Sequence, residues 1–249
     1  MIKNFKLAIE YDGGLYHGWQ RQKNERTVQG EIEQALLRMT GQAIVVIGSG
    51  RTDAGVHAEG QVANFHCDTE LPPDTFLQGL NSLTPEDIVI RHCEAVADSF
   101  HARFDVQSKI YRYGILNRRF PAAVGRQYVW WIRKKLDADR MRLAIVHIVG
   151  LHDFKAFEGA GSPRSSTERR VLRAGLSKRK SHYLIIEIEA NGFLRYMVRN
   201  LVGTLVAVGL NKITPEDFKA ILLSKDRDRA GMTAPARGLS LVEVKYGAL

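Results

Sequence analysis

Apolar and polar residues alternate along Phe5-Lys6-Leu7-Ala8-Ile9-Glu10-Tyr11 and again along Gln61-Val62-Ala63-Asn64-Phe65-His66-Cys67. A two-residue period of this kind predicts half-buried strands. Between them the period changes to that of a helix, with Val28, Ile32, Ala35, Leu36 and Met39 on one stripe, Thr27 placed to cap its start and Gly41 to stop it. The run Ile44-Val45-Val46-Ile47 predicts a buried strand. Pro72-Pro73-Asp74 opens a second helix through Leu83, and Asp87-Ile88-Val89-Ile90-Arg91 closes the half as a strand. The order is β-α-β-β-α-β, the split βαβ pattern of ferredoxin-like folds.

The second half repeats that order without residue-level identity to the first. Lys109 to Leu116 reads as a strand, and Asp137 caps a helix running to Val149 before Gly150. Val171–Ser177 and Tyr183–Glu189 form a hairpin around the basic turn Lys178-Arg179-Lys180, Arg195–Val208 is a helix, and Leu239–Tyr246 is the last strand. Thr214-Pro215-Glu216-Asp217 starts one further helix. The expected architecture is α/β (α+β): two ferredoxin-like halves, residues 1–105 and 106–249, sharing a mostly antiparallel central sheet with helices on one face and a cleft on the other.

Composition narrows the function classes. A hydrophobic share of 45% and a charged share of 25% over 249 residues exclude a disordered chain and are enough for a sizeable core. Lys and Arg number 36 against 27 Asp and Glu, a formal charge of +9 that favours polyanionic partners. The two cysteines, Cys67 and Cys93, have no CxxC partner and read as reduced, half-buried strand-end residues of a cytoplasmic protein. No histidine cluster has metal-ligand spacing, so no metal is expected. The segment from Met1 to Asp12 has no long apolar core and reads as neither signal peptide nor membrane span.

Candidate chemistry concentrates in Gly48-Ser49-Gly50-Arg51-Thr52-Asp53-Ala54-Gly55-Val56-His57-Ala58. Glycine admits positive φ and close approach, so a carboxylate between Gly50 and Gly55 stands where bulky neighbours have been cleared away. A plain turn with a capping Asp is the structural alternative. A phosphate cradle fits poorly, because the P-loop ending and the GxGxxG spacing are missing and Asp53 would repel a phosphate. The preceding loop carries Tyr16, His17, Trp19 and Gln20, with Trp19 read as tucked into the core.

Alternation puts Tyr111 and Tyr113 on one face of their strand and Arg112 on the other; such a face is either core or a platform for stacking bases. The helix around Tyr196–Val206 is apolar nearly all round, and Arg199, placed in its middle, requires a carboxylate or phosphate. The stretch 159–173 sets Arg164, Arg169, Arg170 and Arg173 among small polar residues, as a solvated loop or a phosphate-tracking one.

Taken together, Tyr11-Asp12-Gly13, Gly18-Trp19-Gln20, Gly50 to Ala58, Phe100-His101-Ala102-Arg103-Phe104, Tyr111-Arg112-Tyr113, Phe193 to Gly203 and Ala234-Pro235-Ala236-Arg237-Gly238-Leu239 resemble, in order and from end to end, TruA-type tRNA pseudouridine synthases. Tyr16 stands where that family often has Phe. The resemblance implies an isomerase that converts uridine to pseudouridine at positions 38, 39 and 40 of the tRNA anticodon arm, working as a homodimer with no metal or organic cofactor. It puts the motif Asp on Asp53, the Tyr on Tyr111 and the helix Arg on Arg199.

In that scheme Asp53 is the nucleophile, Arg199 pairs with it and holds it ionised, and Tyr111 stacks on the uracil and can take part in proton transfer. Arg51 fills the space left by a flipped-out uridine or holds a neighbouring phosphate. Arg164, Arg169, Arg170, Lys178, Arg179 and Lys180 are the expected RNA contacts. The competing reading is a non-catalytic, basic, structured-RNA-binding protein with Tyr111 and Tyr113 as stacking platforms. A nucleoside hydrolase is a third, and it lacks a clear second acid.

Overall fold

The structure, a computed structural model, describes residues 2–161, 166–179 and 182–247. Arg164 and Lys180 of the expected RNA contacts lie outside the described residues. The chain divides into two compact units, Met1–Gln107 with Leu241–Leu249, and Ser108–Ser240. From Leu241 onward the last strand falls in the first of these units. Its backbone comes so close that a Cβ on Gly60 would stand 2.5 Å from the Val242 carbonyl oxygen.

The first unit runs β1 (Ile2–Tyr11), α1 (Val28–Thr40), β2 (Ile47–Gly48), β3 (His57–Asp68), α2 (Pro73–Leu83) and β4 (Ile88–Val96). β1 is central, antiparallel to β3 and to β4, with Phe5 opposite Phe65 on one side and Ala95 on the other. Its alternation is real: Phe5, Leu7 and Ile9 are fully buried. The rings of Phe5, Phe65 and Phe76 meet at centroid distances of 4.7 to 5.3 Å. Truncating one of them to Ala would cost roughly 3–5 kcal/mol. α1 begins and ends as its sequence requires, Thr27 accepting from the Gly30 N–H and Gly41 turning left-handed at φ 69°.

The expected strand at Ile44–Ile47 shrinks to Ile47–Gly48. Side chains of α1 take over the backbone groups a strand partner would have satisfied. Glu33 Oε1 accepts from the Val46 N–H at 3.0 Å, and Gln29 Nε2 donates to the Val46 carbonyl at 3.0 Å. Cys67 and Cys93 are buried at 2% and 4% exposure, deeper than the half-burial expected, because both face the core side of their strands.

The second unit takes β5 (Val106–Asn117) from Ser108 onward and contains β6 (Trp130–Ile132), α3 (Ala138–Ile145), β7 (Gly150–Asp153), β8 (Glu168–Arg179), β9 (Tyr183–Ala190), α4 (Met197–Gly209) and α5 (Pro215–Ser224), followed by β10 (Leu239–Tyr246). β5 pairs antiparallel with β9, β9 with β8 and β8 with β7, while β6 lies parallel to β5. The described residues thus form ten strands, mostly antiparallel, and five α-helices, a mixed α+β fold. α5 starts on a full capping box, Thr214 and Asp217 bonding reciprocally behind Pro215.

Two helices depart from expectation. α3 ends at Ile145 and tightens into a 3-10 turn over Val146–Ile148, so its exposed valines Val146 and Val149 leave the helical ladder. α4 begins only at Met197, after Tyr196 turns left-handed at φ 60°. Arg199 therefore sits in the first turn, half-buried, and not in the middle of a buried helix.

Candidate active site

Asp53 lies half-buried in the loop between β2 and β3. The chain on either side of it is fixed by three neighbours. Thr52 Oγ1 is 2.8 Å from the buried Tyr11 hydroxyl at the end of β1, and burial, eased by hydrogen bonds to Thr52 and Gln61, raises that phenol's pKa. The Trp19 N–H donates to the Thr52 carbonyl at 3.2 Å and the Gly55 N–H to the Tyr16 carbonyl at 3.2 Å, so residues 16–19 lie against the loop. From β3, Gln61 Nε2 donates to the Gly50 carbonyl at 3.0 Å while Gln61 Oε1 accepts from Ser49 Oγ at 2.7 Å.

Glycine is required at two points of this arrangement. Gly18, at φ +90°, would put a Cβ 2.4 Å from the Thr52 carbonyl oxygen. Gly55, at φ +77°, closes a turn in which the Val56 N–H bonds the Asp53 carbonyl at 3.1 Å. Trp19 is 2% exposed, as the sequence suggests. His57 Nδ1 stands 2.9 Å from Asp12 Oδ1 and 3.1 Å from the Gly13 nitrogen, tying the Tyr11-Asp12-Gly13 block to β3.

Arg51 is exposed, and its Nε donates to Gln20 Oε1 at 3.2 Å. Gln20 is held in turn: its Nε2 donates to Gln29 Oε1 at 2.8 Å, Gln29 Nε2 donates to Glu33 Oε1 at 2.9 Å, and Arg21 Nη1 bonds Glu33 Oε2 at 2.7 Å. Glu33 and Gln29 are buried at 7% and 4% exposure. Sequence reasoning missed this relay. Its signal is a Gln and a Glu four residues apart on α1, flanking apolar Ile32 where the helix faces the core.

The second unit positions the other predicted residues. Tyr111 and Tyr113 share one face of β5, opposite Ile188 and Ile186 of β9, and Arg112 on the other face pairs with Glu187 at 3.0 Å. Tyr111 is 8% exposed, with Phe193 edge-on at 4.9 Å and 81°. Tyr113 is fully buried, and its hydroxyl donates to the Pro235 carbonyl at 2.7 Å. Burial raises its phenol pKa against the opposing pull of Arg199 and Arg237. Tyr113 is therefore a core residue and cannot be a stacking platform.

Arg199 Nε donates to the Ala234 carbonyl at 2.8 Å, the Ala234 N–H returns to the Arg199 carbonyl at 3.1 Å, and the guanidinium lies 4.9 Å from the Tyr196 ring centroid. A cation in the first turn of a helix opposes the helix dipole. The latch to Ala234 and the cation–π contact hold it there. Segment 234–235 thus connects the Tyr strand, through Tyr113, to the Arg helix. Arg169 is half-buried and bonds the Ser166 carbonyl at 3.1 Å, while Arg170 on β8 and Lys178 and Arg179 at its far end are exposed.

A family model described as tRNA pseudouridine synthase matches residues 7–105 and 144–247. The chain belongs to the tRNA pseudouridine synthase family. Proteins of Thermoanaerobacter sp. (strain X514), Acetivibrio thermocellus and Clostridium acetobutylicum, each named tRNA pseudouridine synthase A, are 46% identical to it over 245 residues, 98% of this chain and 100% of theirs. Within the span matched to the synthase family, Arg51 and Asp53 fall in the first stretch and Arg199 in the second; Tyr111 lies between the two. Among the described residues no group of three or more His, Cys, Asp or Glu is placed to hold a metal ion, and no helix is long and apolar enough to cross a membrane.

Proposed function

We propose that this chain isomerises uridine to pseudouridine at positions 38, 39 and 40 of the tRNA anticodon arm, with Asp53 as the nucleophile on a flipped-out nucleotide. One observation carries the reading: a half-buried carboxylate in a loop tied to β1 through the Thr52 hydroxyl and to residues 16–19 and β3 through its backbone, in a chain of the tRNA pseudouridine synthase family. Such bonding pre-organises an attacking group so that little reorganisation remains for the reaction.

The isomerisation breaks the N1–C1′ bond, rotates the uracil and forms a C5–C1′ bond; C5 gives up its proton and N1 gains one, with no net change of electrons. Asp53 attacks either C1′ or C6 and keeps the loosened base within the enzyme. Arg199 is the cation that keeps this carboxylate ionised and oriented. Tyr111, in T-shaped contact with Phe193, stacks on the uracil and is available for the C5 proton. Extruding a stem uridine costs a few kcal/mol. Arg51 occupies the vacated space or the adjacent phosphate, and Arg169, Arg170, Lys178 and Arg179 supply binding energy through phosphate contacts. The working species is a homodimer.

The test is Asp53→Asn on an unmodified tRNA transcript. Pseudouridine formation is expected to vanish while tRNA affinity stays within a few-fold. Near-normal turnover by the variant would remove Asp53 from the role of nucleophile, and an unaltered substrate with the native chain would favour the binding-protein reading.

A further inference from the structure

The second unit carries a cavity of about 370 Å³ whose wall includes Arg118, Arg119, Arg133, Lys135, Lys178 and Arg179, and no acidic residue. Arg118 is spent on neutral acceptors, the carbonyls of Phe120 and Pro121 at 2.8 and 3.0 Å, so its charge is not cancelled. The other five make no ion pair with another described residue. Gathering uncancelled cations around one concavity raises the energy of the folded state through self-repulsion.

A run of exposed lysines along one loop is usually only a solvated surface. This cluster is different in origin. Its cations come from three separate segments, the end of β5, the stretch after β6 and the end of β8, and the β9 side of the hairpin adds His182. Asn117, at the end of β5, fastens the stretch after β6 and the His182 side of the hairpin to its own strand. The Asn117 N–H bonds the His182 carbonyl at 2.9 Å, its Nδ2 donates to the carbonyls of Ile132 at 2.9 Å and Lys134 at 2.7 Å, and its Oδ1 accepts from the Leu136 N–H at 2.9 Å. Trp131 Nε1 adds a bond to the Arg118 carbonyl at 3.0 Å. Arg133 and Lys135, two residues apart on the stretch so pinned, both reach the cavity wall.

We propose that this cavity is a built binding site for consecutive backbone phosphates of the tRNA, held by Arg119, Arg133, Lys135, Lys178 and Arg179 on a frame set by Asn117. The proposal rests on the tRNA-modifying reading and extends it to residues 118–135, which lie outside the stretches matched to the family model. The number of cations argues for several phosphates: one small dianion would leave most of them uncancelled. An RNA strand or a free polyphosphate offers that chemistry, and the experiment separates them.

Arg133, Lys135, Lys178 and Arg179 are all exposed, so their joint replacement by Ser leaves the core untouched. The dependence of tRNA affinity on salt is measured for this variant, for Lys178→Glu alone, and for a control in which exposed Lys23, Arg38, Lys212 and Lys219 become Ser. The pocket variant is expected to bind about tenfold more weakly or worse, with a log–log salt slope shallower by about 3, at roughly 0.7–0.9 for each phosphate it no longer neutralises. Lys178→Glu should weaken binding in the same direction, and the control should stay nearer the native slope. Equal slopes for pocket variant and control would overturn the proposal. So would a pocket variant that loses inorganic tripolyphosphate binding and keeps native tRNA affinity. Pseudouridine formation by the native chain is assayed alongside: native chain that binds tRNA through this pocket and leaves uridine unchanged would refute the enzymatic reading and not the site.

Discussion

Gln20 Oε1 accepts from Arg51 Nε at 3.2 Å, and Gln20 is itself fixed by Gln29 at 2.8 Å, which makes an exposed arginine the outer end of a hydrogen-bonded chain that starts in the core. A long cationic side chain ordinarily samples many rotamers, and ordering it on demand costs up to about 2 kcal/mol. Holding one end of the guanidinium in advance reduces that cost. Gln20→Ala is therefore expected to lower turnover on stem uridines by roughly tenfold, with an unchanged melting temperature because Gln20 is half-exposed. Arg51→Ala should fall further on the same substrate. If Gln20→Ala modified stem uridines at the native rate, the relay would have no part in placing Arg51.

Arg199 is held by geometry that charge alone does not reproduce. Its Nε bonds the Ala234 carbonyl and its plane lies near the Tyr196 ring. Arg199→Ala is expected to destabilise the protein by about 2 kcal/mol, the scale of a charge-assisted hydrogen bond, and to reduce turnover by far more than that loss explains. Arg199→Lys keeps the charge and loses the fork, so it should recover less than a tenth of native turnover. Thermal melts and single-turnover assays separate the two effects. A Lys variant with native turnover would show that only a positive charge is needed there.

Much of the fold is legible in the sequence where local signals and packing agree. Thr27 and Gly41 bound α1, Pro73 opens α2 and the Thr214–Asp217 box starts α5 as the residues dictate. The glycine pattern around Asp53 marks a loop crowded by other backbone, and Gly18 against Thr52 shows why. What escapes is any place where a distant group replaces a local one. Ile44–Val46 has strand composition, yet Gln29 and Glu33 from α1 take its hydrogen bonds. Arg199 reads as mid-helix because the left-handed Tyr196 that delays the start of α4, at φ 60°, has no strong sequence signature. Asn117 reads as one more polar residue at a strand end until its partners at 132, 134, 136 and 182 are seen.

Cys93 gives a pH-dependent prediction. Burial first, and then the carboxylates of Asp74 and Glu94, push its thiol from 9.0 up to about 12. The fold thus disfavours the thiolate. Its contribution to stability is fully present below the unfolded-state value and is lost as pH rises from about 9 toward about 12, at up to about 1.4 kcal/mol per pH unit. Cys93→Ala should flatten the loss of stability above pH 9 seen in denaturant melts, beyond any constant offset from the smaller side chain. Native protein at pH 8 should also resist thiol reagents at Cys67 and Cys93 until denaturant opens it. Rapid labelling of Cys93 in the folded state would contradict its burial at 4% exposure.

Tyr113 couples the sheet to the Arg199 latch through Pro235, one residue after the carbonyl that Arg199 grips. Tyr113→Phe removes a single oxygen from a fully buried ring and leaves the Pro235 carbonyl without that donor. The expected cost is about 1–3 kcal/mol, read from denaturant melts. Because Ala234 and Pro235 move together, the same variant should blunt the effect of Arg199→Ala: in a double-mutant cycle the two losses in turnover should sum to more than the loss in the double variant. Independent sites far apart add within about 0.3–0.5 kcal/mol. Strict additivity in turnover would mean that the hydroxyl of Tyr113 supports the fold alone and has no bearing on where Arg199 is held.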